Sequence, residues 1–214
     1  MDEEIEIINK NTRNEKIINF FINNQKQLII LFSAIILILF SYFIYKDLQK
    51  KNKIELANQY NIATINFVSG DKANIENQLV KIIHERDKTY SPLALYFLID
   101  NNILKEKNKI NQFFDILINE INLEKEIKDL VIYKKALFNS DFVAENELLI
   151  ILKPIINTES FWKSHAFYLL AEYFYFKNEK QKAKEFFEKI LLLESSNLNI
   201  KIEAQKRLNR DFSE

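Results

Sequence analysis

The chain carries two imidazoles, His84 and His165, and no cysteine. A side-chain zinc site wants three or four ligands, usually Cys and His together. His84 stands beside Glu85 and Arg86 at the end of a periodic segment, a capping or solvated place rather than a metal ligand. Ser160, Ser164 and His165 lie close along the chain, but no nearby Asp completes a triad. Proximity on one helix does not put a nucleophile on its base. The acidic pairs Glu124/Glu126 and Glu145/Glu147 read as ordinary polar faces. With a single glycine, Gly70, neither a P-loop nor a GxGxxG turn can be written. The expectation is a non-enzyme with no catalytic residue, no metal ligand and no cofactor.

The elements that must position whatever remains are helical. The chain has 214 residues, 48% hydrophobic and 28% charged, enough for a packed core. Lys+Arg and Asp+Glu are both 30, so no net charge recruits nucleic acid. By count there are 33 Ile, 25 Asn and 26 Lys, a bias that makes Ile and Asn poor signals for strands and turns. One glycine and two prolines argue against a chain of tight β-hairpins.

Residues 1–26 are polar, with a short amphipathic stretch at Ile17, Ile18, Phe21 and Ile22. Leu28–Tyr45 follows without a charge, flanked by Lys26 and Lys46. Its 18 residues would span about 27 Å as a helix, close to the hydrocarbon thickness of a bilayer. No small-x-small cleavage site follows it, so it reads as an uncleaved anchor over 27–46 in contact with the lipid bilayer. Tyr42 and Tyr45 suit the far interface. Arg13, Lys16 and Lys26 on one side against Lys46, Lys50, Lys51 and Lys53 on the other leave orientation undecided by charge.

Past the anchor, apolar residues recur at helical spacing: Leu56, Tyr60, Ala63, Phe67; Ile75, Leu79, Ile82, Ile83; Ile110, Phe113, Phe114, Leu117, Ile121. Asp71 and Asn74 are candidate N-caps for the second set. Ser91-Pro92 reads as N-cap and first residue of a helix through about Leu104. Further periodic segments cover about 125–139, 142–152, 160–176, 180–193 and 198–210, joined by short polar links that suit antiparallel hairpins. The fold class is all-α: one N-terminal transmembrane helix, then helical hairpins over 47–214.

Phe167, Leu170, Ala171 and Phe174 share one face of the 160–176 segment, while Trp162, Ala166, Leu169, Tyr173 and Phe176 share another. Ala183, Phe186, Phe187, Ile190 and Leu191 fill the i, i+3, i+4, i+7, i+8 template of the next. Phe167, Leu170-Ala171, Phe174, Ala183, Phe187 and Ile190 resemble the tetratricopeptide pattern, with Ser195 where the motif closes on Pro. A degraded copy holds Tyr133, Ala136, Leu148 and Leu152, with Pro154 expected to end it early. The resemblance implies a solenoid whose groove is lined in the good repeat by His165, Tyr168, Glu172, Tyr175 and Phe176. These would form a peptide- or partner-binding strip.

The full layout of tail, anchor, helix from near Lys50 and degenerate repeats resembles the YfgM-type family, the ancillary subunit of the SecYEG translocon. The matching stretches are FFINNQKQLIILF, NKIELANQYNIA, TYSPLALYFLIDNNIL and WKSHAFYLLAEYFYFKNEKQKAKEFFEKIL. The resemblance implies a bacterial inner-membrane protein, single-pass, with residues 1–26 cytoplasmic and 47–214 periplasmic. It implies a scaffold or chaperone-like role among translocon subunits, periplasmic chaperones and secreted chains. A scaffold for another envelope complex, such as cytochrome c maturation, is the alternative within the same class. A membrane-tethered enzyme is the alternative from another, and it would need a polar pocket that no residues here supply.

Overall fold

A computed structural model describes residues 16, 18–20, 22–68, 72–194 and 197–212. Ile17, Phe21, Gly70, Asp71 and Ser195 lie outside the described residues. Every regular element among those described is a helix. They are α1 Gln25–Ile65, a 3₁₀ turn Asn66–Val68, α2 Lys72–His84, α3 Tyr90–Asp100, α4 Lys107–Asn119, α5 Lys125–Asn139, α6 Glu145–Ile156, α7 Lys163–Phe176, α8 Lys180–Leu192 and α9 Leu198–Asp211. Two compact units divide the chain, Met1–Glu55 and Leu56–Glu214.

Helix α1 is long and apolar enough to cross a membrane, and none of its apolar stretch, which falls in the first unit, is buried by protein. A helix apolar on every face with nothing packed on it suits lipid rather than water. The helix expected to begin near Lys50 is the same helix, continuing without a break to Ile65. Neither a Pro nor a Gly stands between Tyr45 and Ile65 to end it.

The second unit is a chain of hairpins. Each helix from α2 onward packs on the next, and α5 with α7 and α7 with α9 also touch. The apolar faces read from the sequence become two cores. One gathers Ala63, Ile75, Leu79, Ile82, Leu95, Leu98, Phe114 and Leu117. The other gathers Ala136, Leu148, Leu152, Leu170, Ala171, Phe174, Ala183, Phe187 and Ile190. Helix α5 serves both: Val131 faces the first and the adjacent Ile132 the second. Ala171 and Ala183 are both fully buried, where small side chains let α7 and α8 approach.

Several expected boundaries move, for reasons of hydrogen bonding. Ser91 is not an N-cap. It lies inside α3, buried, and its Oγ donates to the Ile82 carbonyl at 2.9 Å, tying α3 to α2. The cap acceptor is Asp87, whose Oδ1 takes the Thr89 and Tyr90 amides, both at 2.8 Å. Helix α3 ends at Asp100, not near Leu104. Asn74 is likewise interior to α2 and accepts from Gln78 Nε2 at 3.3 Å. Pro154 does not end its helix: α6 runs on to Ile156, and the Thr158 hydroxyl donates to the Pro154 carbonyl at 2.8 Å. The proline gives up one amide bond in the final turn, and Ile155 beside it is fully buried.

Left-handed helix ends, which glycine usually fills, fall here to Arg86 (φ 55°), Asn102 (φ 51°) and Asn178 (φ 62°). After α7 the Asn178 amide bonds Tyr175 O at 3.0 Å and the Glu179 amide bonds Phe174 O at 2.9 Å, closing the orphan carbonyls.

Candidate functional site

Helices α3, α5 and α7 open the three successive hairpins, and α9 follows in the same role. Polar links between alternate helices or their ends keep a narrow range of sequence separations, while those between adjacent helices of neighbouring hairpins are shorter: 20 residues for Lys135 to Asp115, 28 for Asn139 to Asn111 and 30 for Tyr173 to the Val143 carbonyl. Lys109 Nζ to Glu76 spans 33 residues, Lys125 Nζ to the Glu159 carbonyl 34, and Trp162 Nε1 to the Glu126 carbonyl 36. Lys182 Nζ to Glu145 spans 37, the Asn197 amide to Ser164 Oγ 33, and Arg207 to Glu172 35.

The expected strip lies on α7, and the structure does not keep it together as one open surface. Glu172 receives Arg207 of α9 as a two-pronged fork, Nε to Oε1 at 2.7 Å and Nη2 to Oε2 at 2.8 Å. The same guanidinium lies 4.4 Å from the centre of the Tyr175 ring and 5.6 Å from that of Phe187. Asp211 pairs with Arg207 from the next turn of α9. Tyr175 meets Phe212 edge-on at 5.8 Å. Tyr168 stands edge-on to Phe187 at 5.5 Å, and its hydroxyl is harder to ionise than usual, through burial first and the Glu172 carboxylate second.

His165 faces the other way, into α5. Its ring lies 4.9 Å from Trp162 and 5.9 Å from Tyr133, and Trp162 stacks on Tyr133 at 5.5 Å. Its Nδ1 is buried without a hydrogen-bond partner, and burial lowers the pKa, so the ring is held neutral. Phe176 does not share the packed face expected for it: it is 84% exposed at the last turn of α7.

The nucleophile and metal readings can be placed as well. Ser160 Oγ accepts the Trp162 amide at 3.1 Å, closing the turn before α7, and Ser164 Oγ takes the Asn197 amide at 3.4 Å. Both hydroxyls are thus engaged by backbone rather than by His165. His84 is exposed in the last turn of α2, its ring 5.7 Å edge-on to Phe113. Among the described residues no group of three His, Cys, Asp or Glu could hold a metal.

Sequence reasoning missed the junction between α3 and α5. There an apolar groove of about 360 Å³ is lined by Pro92, Leu93 and Tyr96 of α3 and by Ile127 and Leu130 of α5, with Lys88 and Glu124 at its rim. Leu93 is 40% and Ile127 42% exposed. Past Tyr96 a smaller cavity of about 150 Å³ continues toward Asp100, Lys134 and Phe138. The Tyr96 hydroxyl is buried with no hydrogen-bond partner, and burial, then Asp100, raises its pKa. Lys134 Nζ lies 5.3 Å from the centre of the Tyr96 ring. A spacing search could have found these residues, because Leu93 and Ile127 stand 34 apart. No family model, curated protein or solved structure matches this chain.

Proposed function

We propose that the chain is a non-catalytic, membrane-anchored repeat protein that holds protein partners on the first helices of tetratricopeptide-like hairpins. The observation that carries this reading is the register: polar links between alternate helices or their ends recur at separations of 33 to 37 residues. A 34-residue helical hairpin is the tetratricopeptide period. Stacking that unit buries a continuous core while each repeat touches only its neighbours, as α2 to α9 do. Helix α1 supplies the tether through Leu28–Tyr45.

The site of action in this reading is the bacterial inner membrane, with residues 47–214 on the periplasmic side. The partners are translocon subunits, periplasmic chaperones or secreted chains. The balanced charge of the chain leaves recognition to short-range contacts. Crosslinking in intact cells, followed by purification from solubilised membranes, tests the assignment. Recovery of translocon subunits is expected, and recovery of haem-handling proteins instead would move the scaffold to cytochrome c maturation. Protease added to spheroplasts should digest residues 47–214, and full protection of that portion would overturn the topology.

A further inference from the structure

Helix α1 does not stop where its apolar stretch does. It runs on without a break from Tyr45 to Ile65, so the residues beyond the stretch keep fixed places around one axis. Tyr42, Lys46, Lys50 and Lys53 step by 4, 4 and 3 and therefore share one side of the helix. Lys46 Nζ lies 5.2 Å from the centre of the Tyr42 ring. Tyr45 and Gln49 border the same side, and Gln49 Nε2 donates to the Tyr45 hydroxyl at 2.7 Å. We propose that this side of α1 binds the headgroups of anionic phospholipids at the edge of the bilayer. The inference rests on the reading of Leu28–Tyr45 as a membrane anchor and deepens it.

Depth places the lysines among headgroups. At about 1.5 Å per residue, Lys50 and Lys53 stand about 6 and 10.5 Å beyond Lys46 along the axis. The headgroup layer is about 5–8 Å thick on each side of the hydrocarbon. Lys46 and Lys50 fall within it. Lys53 stays within about 8 Å of it, one screening length at physiological salt. At this level a lysine lays its stem along apolar surface and keeps its ammonium among the phosphates. Tyrosine suits the same level, with its ring toward the acyl chains and its hydroxyl toward water.

Charge selects the lipid. Asp47 is the carboxylate nearest the boundary, and Lys51, on the far side of the helix, pairs with it at 2.8 Å. Glu55 falls on that far side too. Lys46, Lys50 and Lys53 are exposed, and among the described residues none of them forms an ion pair. Three unpaired ammonium groups beside the bilayer attract a lipid of net negative charge. A zwitterionic lipid brings a cation of its own next to its phosphate and gains less. Because the three share one side, the lipid is held on that side of the anchor rather than all round it.

The test uses the full chain reconstituted in phosphatidylcholine vesicles, with a trace of spin-labelled phosphatidylglycerol or spin-labelled phosphatidylcholine as probe. The motionally restricted fraction should favour phosphatidylglycerol at least threefold at low salt, and the preference should shrink toward unity in about 1 M salt. Changing Lys46, Lys50 and Lys53 together to Gln should cut it to less than about 1.5-fold, with helical circular dichroism retained. Asp47→Asn with Lys51→Gln, which leaves the net charge as it was, should not alter it. A photo-crosslinking residue at 49 should capture labelled phosphatidylglycerol, and one at 48, on the opposite side, should not. Equal association of the two lipids overturns the proposal. So does a preference that survives the triple change or high salt, or equal capture at 48 and 49. An alkaline wash separates the proposal from the anchor reading. The parent and every variant should stay with the vesicles, because Leu28–Tyr45 holds them. A parent chain that the wash removes overturns the anchor and the proposal together. A chain that stays and shows no lipid preference overturns the proposal alone.

Discussion

At the α7–α9 junction a guanidinium sits between two aromatic rings and a carboxylate; at the α3–α5 junction a groove lined chiefly by Pro92, Leu93, Tyr96, Ile127 and Leu130 stays open. Both are pairs of alternate helices in a chain of helices packed each on the next, so helix order alone does not decide which junction closes. Side chains able to reach across decide it. Arg207 is long, carries a planar fork of donors and finds Glu172 about one turn from the end of α7. Leu93 and Ile127 are too short to bridge and have no polar ends to pair, and Lys134, which does reach the Tyr96 ring, lines the neighbouring cavity rather than the groove. Similar pairings of alternate helices can therefore be closed in one part of the molecule and open in another.

The comparison can be broken most forcefully in the closed half. Phe187 is fully buried beneath Tyr168, Phe212 and Arg207. Phe187→Ala should cost about 3–5 kcal/mol, read as a lowered denaturant midpoint. Ala171→Leu should overpack the α7–α8 contact and cost about 1–3 kcal/mol by the same measurement. Glu172→Gln and Arg207→Met should each cost about 1.5–3 kcal/mol, the range for hydrogen bonds to charged groups. A double-mutant cycle should show strong coupling between them, and additivity within error would mean the fork does not hold α9.

A weaker effect should follow from acid. Burial depresses the His165 pKa below 6.5, so the unfolded chain takes up the proton first. The contribution of the neutral ring is whole above pH 6.5, and stability falls as pH drops from there toward the folded-state value. Replacing His165 with Phe should flatten that part of the stability profile, and an unaltered slope would place the titration elsewhere. The smallest effect belongs to the open half. Leu93→Glu and Ile127→Glu should change stability by no more than about 0.5 kcal/mol, as for surface positions. A large loss would mean that the α3–α5 trough is core after all.

Local periodicity made the cores legible. Ile75, Leu79, Ile82 and Ile83 on one helix, and Phe113, Phe114 and Leu117 on another, are buried as their spacing requires. The apolar stretch at Leu28–Tyr45 was equally plain, since composition alone sets it apart. Capping was less so. Ser91 beside Pro92 has the look of a helix start, yet the serine hydroxyl reaches a carbonyl nine residues back while Asp87 caps. The candidate strip suffered most, because its fate lies 35 residues downstream. Glu172 and Tyr175 look like free binding residues until Arg207 and Phe212 are laid over them. Period analysis within one helix cannot register a contact at that distance.

Packing confined to neighbours also governs how the unit acquires its structure. Where each helix touches chiefly the one before it, contact order is low and loop closure costs little entropy at each step. Hairpins can then form in the order of synthesis, each on a surface already made. The fork between Arg207 and Glu172 must come late, since its arginine follows nearly everything it touches. Until it forms, the α7 face with Tyr168, Glu172 and Tyr175 stands uncovered. Docking of α9 is what covers that face.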